Sequence, residues 1–289
     1  MKTKDWLAFI ALGTIWGSSF LWIKIAVQEI GPFTLVALRL LFGVLGLVVV
    51  FLFARPELPR TRRMLLILTL IGLTNNAIPY VLISWGEQYI DSAVAAILNS
   101  TTPLFAMIFA HLYLRDDRVT ASRLIGLLVG FVGIVILVSR GLGSNVRFNL
   151  AGQLAVLIAS VSYAGTAVFA RKTTMGIHPV ALALVPLIGA DIFMWIITPI
   201  VESPITMPAL PVTWLAVVWL GILGTCIAFL LYYYLLHSVG PTRTALVTYV
   251  FPLVGVVLGV IFLDELLDWQ LVVGGALVVG SIVFVNTRS

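Results

Sequence analysis

Two prolines, Pro103 and Pro252, interrupt apolar runs that are each long enough to cross a bilayer. Proline removes a backbone N–H and clashes with the carbonyl group four residues earlier, so the carbonyl groups of Asn99 and Thr248 are predicted to be free. An unsatisfied carbonyl is costly in hydrocarbon unless it faces a partner or a water-lined cavity. Paired breaks of this kind near the middle of two spans predict a transport site within the membrane.

Further polar and aromatic residues share helix faces with these breaks. Asn76 and Tyr80 are four residues apart, with Pro79 as a third helix break between them, and Thr225, Phe229 and Tyr232 repeat that spacing later in the chain. Any single aromatic ring here is also compatible with simple packing against lipid or core. The candidate substrate-binding residues are Trp16, Ser19, Asn76, Tyr80, Asn99, Thr102, Tyr163, Thr225, Phe229, Tyr232 and Thr248.

Two ionisable residues, Arg39 and Asp191, fall inside apolar runs, where charged side chains are functional candidates by default. At helical rise they lie at similar depths of about 12–13 Å from the ends of their spans. One hypothesis pairs them across the two halves of the chain. The other gives Asp191 a coupling proton.

The elements that must position these groups follow from composition. Of 289 residues, 61% are hydrophobic and only 10% charged, and the mean hydropathy is +1.13, which is typical of a membrane protein. Windows of about 20 apolar residues predict about ten transmembrane helices. The first run continues past Phe20 without a cleavage site, so it is interpreted as a helix rather than a signal peptide. The predicted runs are roughly 6–26, 32–54, 64–84, 92–114, 121–139, 150–170, 179–200, 213–236, 241–263 and 270–287.

Cofactor and metal chemistry have no support in the sequence. Cys226 is the single cysteine, and the three histidines are far apart, so no metal site is predicted. The segment G-L-G-S-N at 141–145 lacks the Lys-Ser/Thr ending of a phosphate-binding P-loop, and no loop has room for a nucleotide-binding domain. Neither a Ser/His/Asp arrangement nor a carboxylate pair stands out, so we expect no enzyme and no cofactor.

The positive charges predict the orientation in the membrane. With a cytoplasmic N-terminus, one set of loops and termini holds thirteen Lys and Arg residues, whereas the opposite loops hold only Arg140 and Arg147. This asymmetry follows the positive-inside rule and predicts a multi-pass inner (plasma) membrane protein with both termini cytoplasmic. The excess of Lys and Arg over Asp and Glu is therefore explained by the orientation of the chain in a lipid bilayer, and no nucleic-acid partner is expected.

The two halves of the chain resemble each other. When the sequence is aligned with itself at an offset of 147 residues, Trp16 matches Tyr163. At an offset of 149 residues, Asn99 matches Thr248 and Pro103 matches Pro252. Each half, 1–140 and 150–289, has five predicted helices, so the second copy enters the membrane from the opposite side. The predicted fold is an all-α membrane protein of ten transmembrane helices, arranged as two inverted five-helix repeats around a central cavity.

The fifth and tenth runs differ from the others. G-L-L-V-G-F-V-G at 126–133 and G-G-A-L-V-V-G at 274–280 are almost free of polar side chains and carry small residues suited to tight helix packing. We expect these helices to act as a scaffold or an oligomer contact outside the cavity. The sequence leaves open whether the protein is a monomer or a homo-oligomer.

Several motifs resemble a known family. These are I-W-G-S-S-F-L-W-I-K near the start, P-F-T-L-V-A-L-R-L-L in the second run, Y-I-D-S-A-V-A-A-I-L-N-S-T-T-P-L-F before L-R-D-D-R-V-T, and V-G-P-T-R-T-A-L-V-T-Y-V-F-P-L-V before L-D-E-L-L. Over its full length the chain resembles an EamA-type carrier of the drug/metabolite transporter superfamily. R-D-D-R departs from the G-E-x common in the family. The resemblance implies a ten-helix basket, alternating access and metabolite export, with bacterial aromatic amino-acid exporters among the closer-looking members.

The residues predicted to line the transport site restrict the choice of substrate. Aromatic rings, amides and hydroxyl groups suit a neutral or zwitterionic solute with an apolar side chain. A phosphate ester is disfavoured because the candidate lining has no Arg or Lys, with Arg39 expected away from the midplane. We therefore expect an exporter of small metabolites, most plainly aromatic or large neutral amino acids. The alternatives are an exporter of multiple drugs or cationic toxicants and a passive channel-like protein. A nucleobase or a sugar is also compatible as the substrate.

Overall fold

The computed structural model describes residues 2–113, 121–139, 146–240, 243–244 and 246–287, and these residues are helical without any strand. The loops R-D-D-R and G-L-G-S-N, the boundary at 140 and Arg288 lie outside the described residues. Ten helices are present within the described ranges, as predicted. They are α1 (Thr3–Ala26), α2 (Pro32–Ala54), α3 (Arg62–Gly86), α4 (Ser92–Tyr113), α5 (Ala121–Ser139), α6 (Val146–Thr173), α7 (Pro179–Val201), α8 (Pro211–Ser238), α9 (Leu246–Leu263) and α10 (Trp269–Thr287).

Length and apolarity suit these helices to a bilayer. Eight of the described helices are long and apolar enough to span it, and α5 and α10 contribute shorter apolar segments at Leu124–Ser139 and Trp269–Phe284. Large apolar side chains such as Phe53, Ile200 and Leu253 are exposed on the outside of the bundle, while Leu12, Leu35 and Leu98 are buried within it. An apolar exterior around an apolar core is what a protein surrounded by lipid requires.

Contacts at the helix ends establish the directions in which the helices run. We call the side on which α1 begins the near side and the side on which it ends the far side. On the near side, the Tyr234 hydroxyl at the end of α8 donates to Asp5 of α1 over 3.1 Å. On the far side, the Lys24 ammonium at the end of α1 donates to the carbonyl of Glu87, just beyond α3, over 2.6 Å.

The second half of the chain is inverted relative to the first. Lys172, at the end of α6, donates to the Tyr113 carbonyl at the end of α4 on the near side, whereas α1, the counterpart of α6, begins there. Glu202, just beyond α7, binds the first turn of α2 at Phe33 and Thr34 on the far side. Helices α2 and α7 therefore also run in opposite directions, as an inverted-topology repeat demands.

Two glycines mark equivalent close contacts between the repeats. A Cβ placed on Gly72 of α3 would lie 1.9 Å from the carbonyl oxygen of Pro186 in α7. A Cβ placed on Gly221 of α8 would lie 2.8 Å from the carbonyl oxygen of Arg39 in α2. The repeat offsets relate Gly72 to Gly221 and Arg39 to Pro186, so the two contacts are one contact made twice around a pseudo-two-fold axis.

Helices α5 and α10 pack tightly against each other through small residues. A Cβ on Gly133 would lie 2.9 Å from the Gly274 carbonyl oxygen, and one on Gly274 would lie 3.0 Å from the Gly133 carbonyl oxygen. Gly130 faces Ser281 one turn away. The expected small-residue packing is thus made between these two helices within the chain.

Four helices depart from regular α geometry at repeat-equivalent positions. Helix α4 is interrupted at residues 100–101, just before Pro103, and α9 begins with a 3₁₀ turn at Leu246–Tyr249 before Pro252. Helix α3 contains a π-helical segment at Leu73–Ala77, and α8 contains one at Trp219–Ile227. The sequence did not predict the π segments, which frequently occur at functional sites.

Candidate functional site

Side chains from three helices meet around Gly224, in the π-helical segment of α8. The Trp16 indole nitrogen donates to the Gly224 carbonyl over 3.1 Å. A Cβ on Gly224 would lie 3.3 Å from the Ser19 hydroxyl oxygen and 3.7 Å from Nη2 of Arg39. The predicted residues of α1 are therefore brought against α8 and the one arginine that lies within α2.

Arg39 belongs to this cluster, contrary to expectation. Its Nε donates to the Thr225 hydroxyl over 3.2 Å, and its guanidinium carbon lies 3.7 Å from the centre of the Tyr80 ring. The residue is only 4% exposed. Two candidate lining residues thus contact a guanidinium, so the expectation that the lining has no Arg or Lys was wrong. Depth along one helix does not show which neighbours a side chain reaches.

The proposed pairing of Arg39 with Asp191 was also wrong. Arg39 contacts Thr225 and Tyr80, whereas Asp191 lies against Trp195, one turn further along α7. One carboxyl oxygen of Asp191 is buried and has no hydrogen-bond partner among the described residues. Similar depth in two helices did not bring the two charges together.

Two aromatic rings pack against Trp16. The Tyr232 ring of α8 lies 5.8 Å from the Trp16 ring, and Phe251 of α9, next to the buried Pro252, meets it edge-on at 5.7 Å. Such geometry contributes about 0.5–1.5 kcal/mol per pair beyond area burial. Tyr163 of α6 and Phe229 of α8 both pack against the group of buried apolar residues that contains Tyr80.

Two predicted asparagines present amide oxygens without partners. Asn76, in the π segment of α3, is 2% exposed, and its Oδ1 has no hydrogen-bond partner among the described residues. The Oδ1 of Asn99 in α4 is buried in the same way. Buried polar atoms in folded proteins are nearly always satisfied, so these two oxygens are candidates for contact with a solute or water.

The backbone carbonyl of Asn99, at the break in α4, has hydrogen-bond partners within the protein. The Asn99 carbonyl accepts a hydrogen bond from the Thr102 hydroxyl over 2.7 Å, and Ser160 of α6 approaches it at 3.5 Å. Thr248 likewise has interactions of its own. In α3, before Pro79, the Thr74 carbonyl accepts from Ser162 over 2.6 Å. The expected unpaired oxygen at Asn99 was therefore wrong, because hydroxyl groups satisfy the freed backbone, as they often do in membrane helices.

Two cavities lie near the ends of the bundle. One of about 420 Å³ opens on the near side between α7 and α8, lined by Pro179, Leu230, Tyr233, Tyr234 and His237 among others. The other, of about 290 Å³, lies on the far side beside Lys24 and Glu87. Neither is lined by the residues around Gly224.

Sequence reasoning missed a set of far-side carboxylates that join separate helices. Glu202 accepts from the backbone N–H groups of Phe33 and Thr34 at 2.8 and 2.9 Å. Glu265 accepts from those of Ser92 and Ala93 at 2.6 and 2.9 Å, at the start of α4. A carboxylate at a helix N-terminus accepts hydrogen bonds from free backbone N–H groups, and its negative charge interacts favourably with the positive end of the helix dipole.

Glu29 completes this set at the start of α8. It accepts from the backbone N–H groups of Ala209 and Leu210 at 2.6 and 3.0 Å. Hydrogen bonds from Thr213 and from these two N–H groups lower the pKa of Glu29. The partners of these acids lie more than a hundred residues away in sequence, so no local signal identifies them as caps.

Known proteins resemble this chain along its whole length. The EamA-like transporter family model matches it twice, at residues 4–139 and 150–287. The Uncharacterized inner membrane transporter YedA of Escherichia coli (strain K12) is 32% identical over 254 residues, covering 87% of this chain and 80% of that protein. An Uncharacterized transporter of Archaeoglobus fulgidus is 26% identical over 287 residues, covering 98% of each chain.

The fold has also been seen before. A protein of known crystal structure superposes with a TM-score of 0.71 at 19% identity, covering 100% of this chain and 99% of that one. Ten helices in two inverted halves, with polar and aromatic groups brought together inside the bundle, define a membrane carrier rather than an enzyme. The chain belongs to the EamA-like transporter family and is a membrane transporter.

Proposed function

We propose that this protein is a secondary transporter that exports amino acids, aromatic or large neutral ones, by alternating access. The observation that carries the proposal is the buried Arg39 guanidinium, held by Tyr80 and Thr225 beside Trp16 and Ser19. A guanidinium in a fixed plane is the side chain best suited to bind a carboxylate. Every amino acid supplies that carboxylate, and the aromatic rings accept an apolar side chain.

The rest of the site fits a zwitterion. Among the described residues, the Arg39 guanidinium donates a hydrogen bond through Nε, to Thr225. The two terminal nitrogens of Arg39 are therefore left to bind the α-carboxylate of the substrate. The buried Oδ1 atoms of Asn76 and Asn99 are acceptors for an ammonium group. Rings such as Trp16 and Tyr232 supply stacking surface for the substrate side chain.

The inverted repeats give the alternating-access part of the proposal its basis. The candidate residues come from α1, α2, α3 and α4 of one half and from α6, α8 and α9 of the other, so rocking the halves exposes the site to one side at a time. The two repeats are residues 1–140 and 150–289. Placement in the inner (plasma) membrane with cytoplasmic termini rests on the positive-inside asymmetry and on the relative named as an inner membrane transporter.

A cation exporter is the second candidate function. Its support is the buried carboxyl oxygen of Asp191, which has no hydrogen-bond partner among the described residues. Against it stands Arg39, because a fixed positive charge in the site repels a cationic solute. The presence of Arg39 also removes the earlier ground for excluding a phosphate ester, so that class belongs in any test panel.

The test is efflux from cells loaded with labelled phenylalanine, leucine, a quaternary ammonium dye or a sugar phosphate. We expect saturable efflux of the two amino acids, abolished by Arg39→Gln and retained by Arg62→Gln, which removes an exposed arginine. Efflux of the dye, reduced by Asp191→Asn, would support the second candidate. Unsaturable flux of every compound would indicate a channel, and amino-acid efflux equal to that of cells lacking the protein would refute the proposal.

A further inference from the structure

A fully buried glutamate lies directly after the last residue of α3, on the far side. Glu87 is 0% exposed, and neither of its carboxyl oxygens has a hydrogen-bond partner among the described residues. The backbone there is fixed, because a Cβ on Gly86 would lie 2.8 Å from the Gly152 carbonyl oxygen in α6. An ionised carboxylate without donors costs far more in such a place than the neutral acid does.

Three charged groups face Glu87 from neighbouring elements. Burial raises the pKa of Glu87 well above its usual range; the positive charge of Lys24 opposes this rise, the negative charge of Glu265 adds to it, and Arg39 opposes it. Glu265 is held at the start of α4 by two backbone N–H groups. Burial is thus the dominant influence, and it favours the protonated acid.

Lys24 binds the backbone near Glu87 rather than its carboxyl group. The ammonium donates to the carbonyl oxygens of Glu87 and Ile90 over 2.6 and 2.8 Å, which ties the end of α1 to the end of α3. The far-side cavity of about 290 Å³ is lined by both Lys24 and Glu87, together with Gln28 and Gln88. This cavity therefore lies beside the buried glutamate on the far side.

We propose that Glu87 is a proton-binding site that keeps the far side closed while protonated and opens it when the proton leaves. When the Glu87 O–H ionises, the proton passes to water in the cavity and a carboxylate remains. That carboxylate attracts the Lys24 ammonium away from the two carbonyl oxygens and releases the tie between α1 and α3. The inference rests on the proposed transport function, to which it adds coupling to a proton.

Proton binding can be measured without any substrate. A carboxyl group that stays protonated only in the folded protein makes the folding equilibrium constant fall by up to about tenfold per pH unit as pH rises from the ordinary pKa of glutamate towards the raised pKa of the folded state. Thermal unfolding of the purified full chain should therefore show wild-type stability falling with pH and Glu87→Gln giving a flatter profile. Glu57→Gln, which changes an exposed glutamate on the near side, should keep the wild-type slope. Equal slopes for the two variants would overturn the proposal.

A second measurement covers a variant that fails to fold. Infrared spectra of the wild type, recorded above the ordinary pKa of glutamate, should contain a protonated-carboxyl band that disappears on alkalinisation and survives Asp191→Asn. Absence of that band from the wild type would overturn the proposal by itself. In the efflux assay, amino-acid efflux by Glu87→Gln should no longer respond to a proton gradient. An unchanged response would refute proton coupling by Glu87 but not the proposed transport function. Absence of efflux from both the wild type and Glu87→Gln would refute only the proposed transport function.

Discussion

Adding a methyl group to Gly72 or Gly221 is predicted to destabilise the protein by driving the two repeats apart. The new Cβ of Gly72→Ala would lie 1.9 Å from the Pro186 carbonyl oxygen, and that of Gly221→Ala would lie 2.4 Å from the Phe42 Cβ. Both positions are far closer than real Cβ contacts, and helix backbone cannot move aside cheaply. At Gly72 the facing helices must separate by more than about 1 Å to restore an ordinary contact.

The magnitude follows from two opposing effects. Overpacking of this kind costs about 1–3 kcal/mol. Replacing glycine by alanine within a helix returns about 1 kcal/mol through helix propensity. The difference leaves each variant with a loss of up to about 2 kcal/mol of unfolding free energy.

The chain carries its own reporter for this measurement. Cys226 is the single cysteine and is buried, so a thiol-reactive fluorogenic dye will label it as the protein unfolds on heating. Gly280→Ala is the matched control, because nothing lies within 4 Å of the added Cβ. Gly72→Ala and Gly221→Ala should both unfold several degrees below the control. Equal midpoints for all three would refute the close approach of the repeats.

Two further variants test the far-side caps. Glu202→Ala should lower the unfolding free energy by about 1–3 kcal/mol, because two N–H groups of α2 lose their acceptor. The control, Glu57→Ala, changes an exposed residue and should alter the unfolding free energy little. Equal melting temperatures for the two variants would show that the Glu202 cap contributes nothing to stability. Glu29 has a lowered pKa, so its stabilisation is present above its ordinary pKa and disappears as pH falls through the folded value. Glu29→Gln should therefore lose less stability on acidification than the wild type, in the same dye assay, and a parallel acid profile would contradict the capping interaction.

Much of the fold could be predicted from the sequence, because apolar length and charge asymmetry act along the chain itself. Ten helices, the inversion of the halves and the tight small-residue packing of α5 and α10 all follow from such local or periodic signals. The sequence did not show that Gly133 packs against Gly274. The π segments did not follow from these signals either, since their register depends on contacts such as Gly221 against α2 rather than on local composition.

Several residues that the sequence singled out lie together in the structure, but the charged group between them was not predicted. Trp16, Ser19, Tyr80 and Thr225 are brought together, yet the group at their centre is Arg39, which helix depth alone had placed elsewhere. Proline positions indicated where carbonyl groups would be freed. They could not show that side-chain hydroxyls would satisfy the Asn99 carbonyl, because that depends on rotamers and on a neighbouring helix.

The central claim is that Arg39 binds the carboxylate of the transported solute. Binding of phenylalanine and of phenylalaninol, which lacks the carboxylate, can be compared on the purified wild type and on Arg39→Gln. A charge-assisted hydrogen bond of about 1.5–3 kcal/mol predicts that the wild type binds phenylalanine at least about tenfold more tightly than phenylalaninol. That preference should vanish in Arg39→Gln; an equal preference in both proteins would contradict the account.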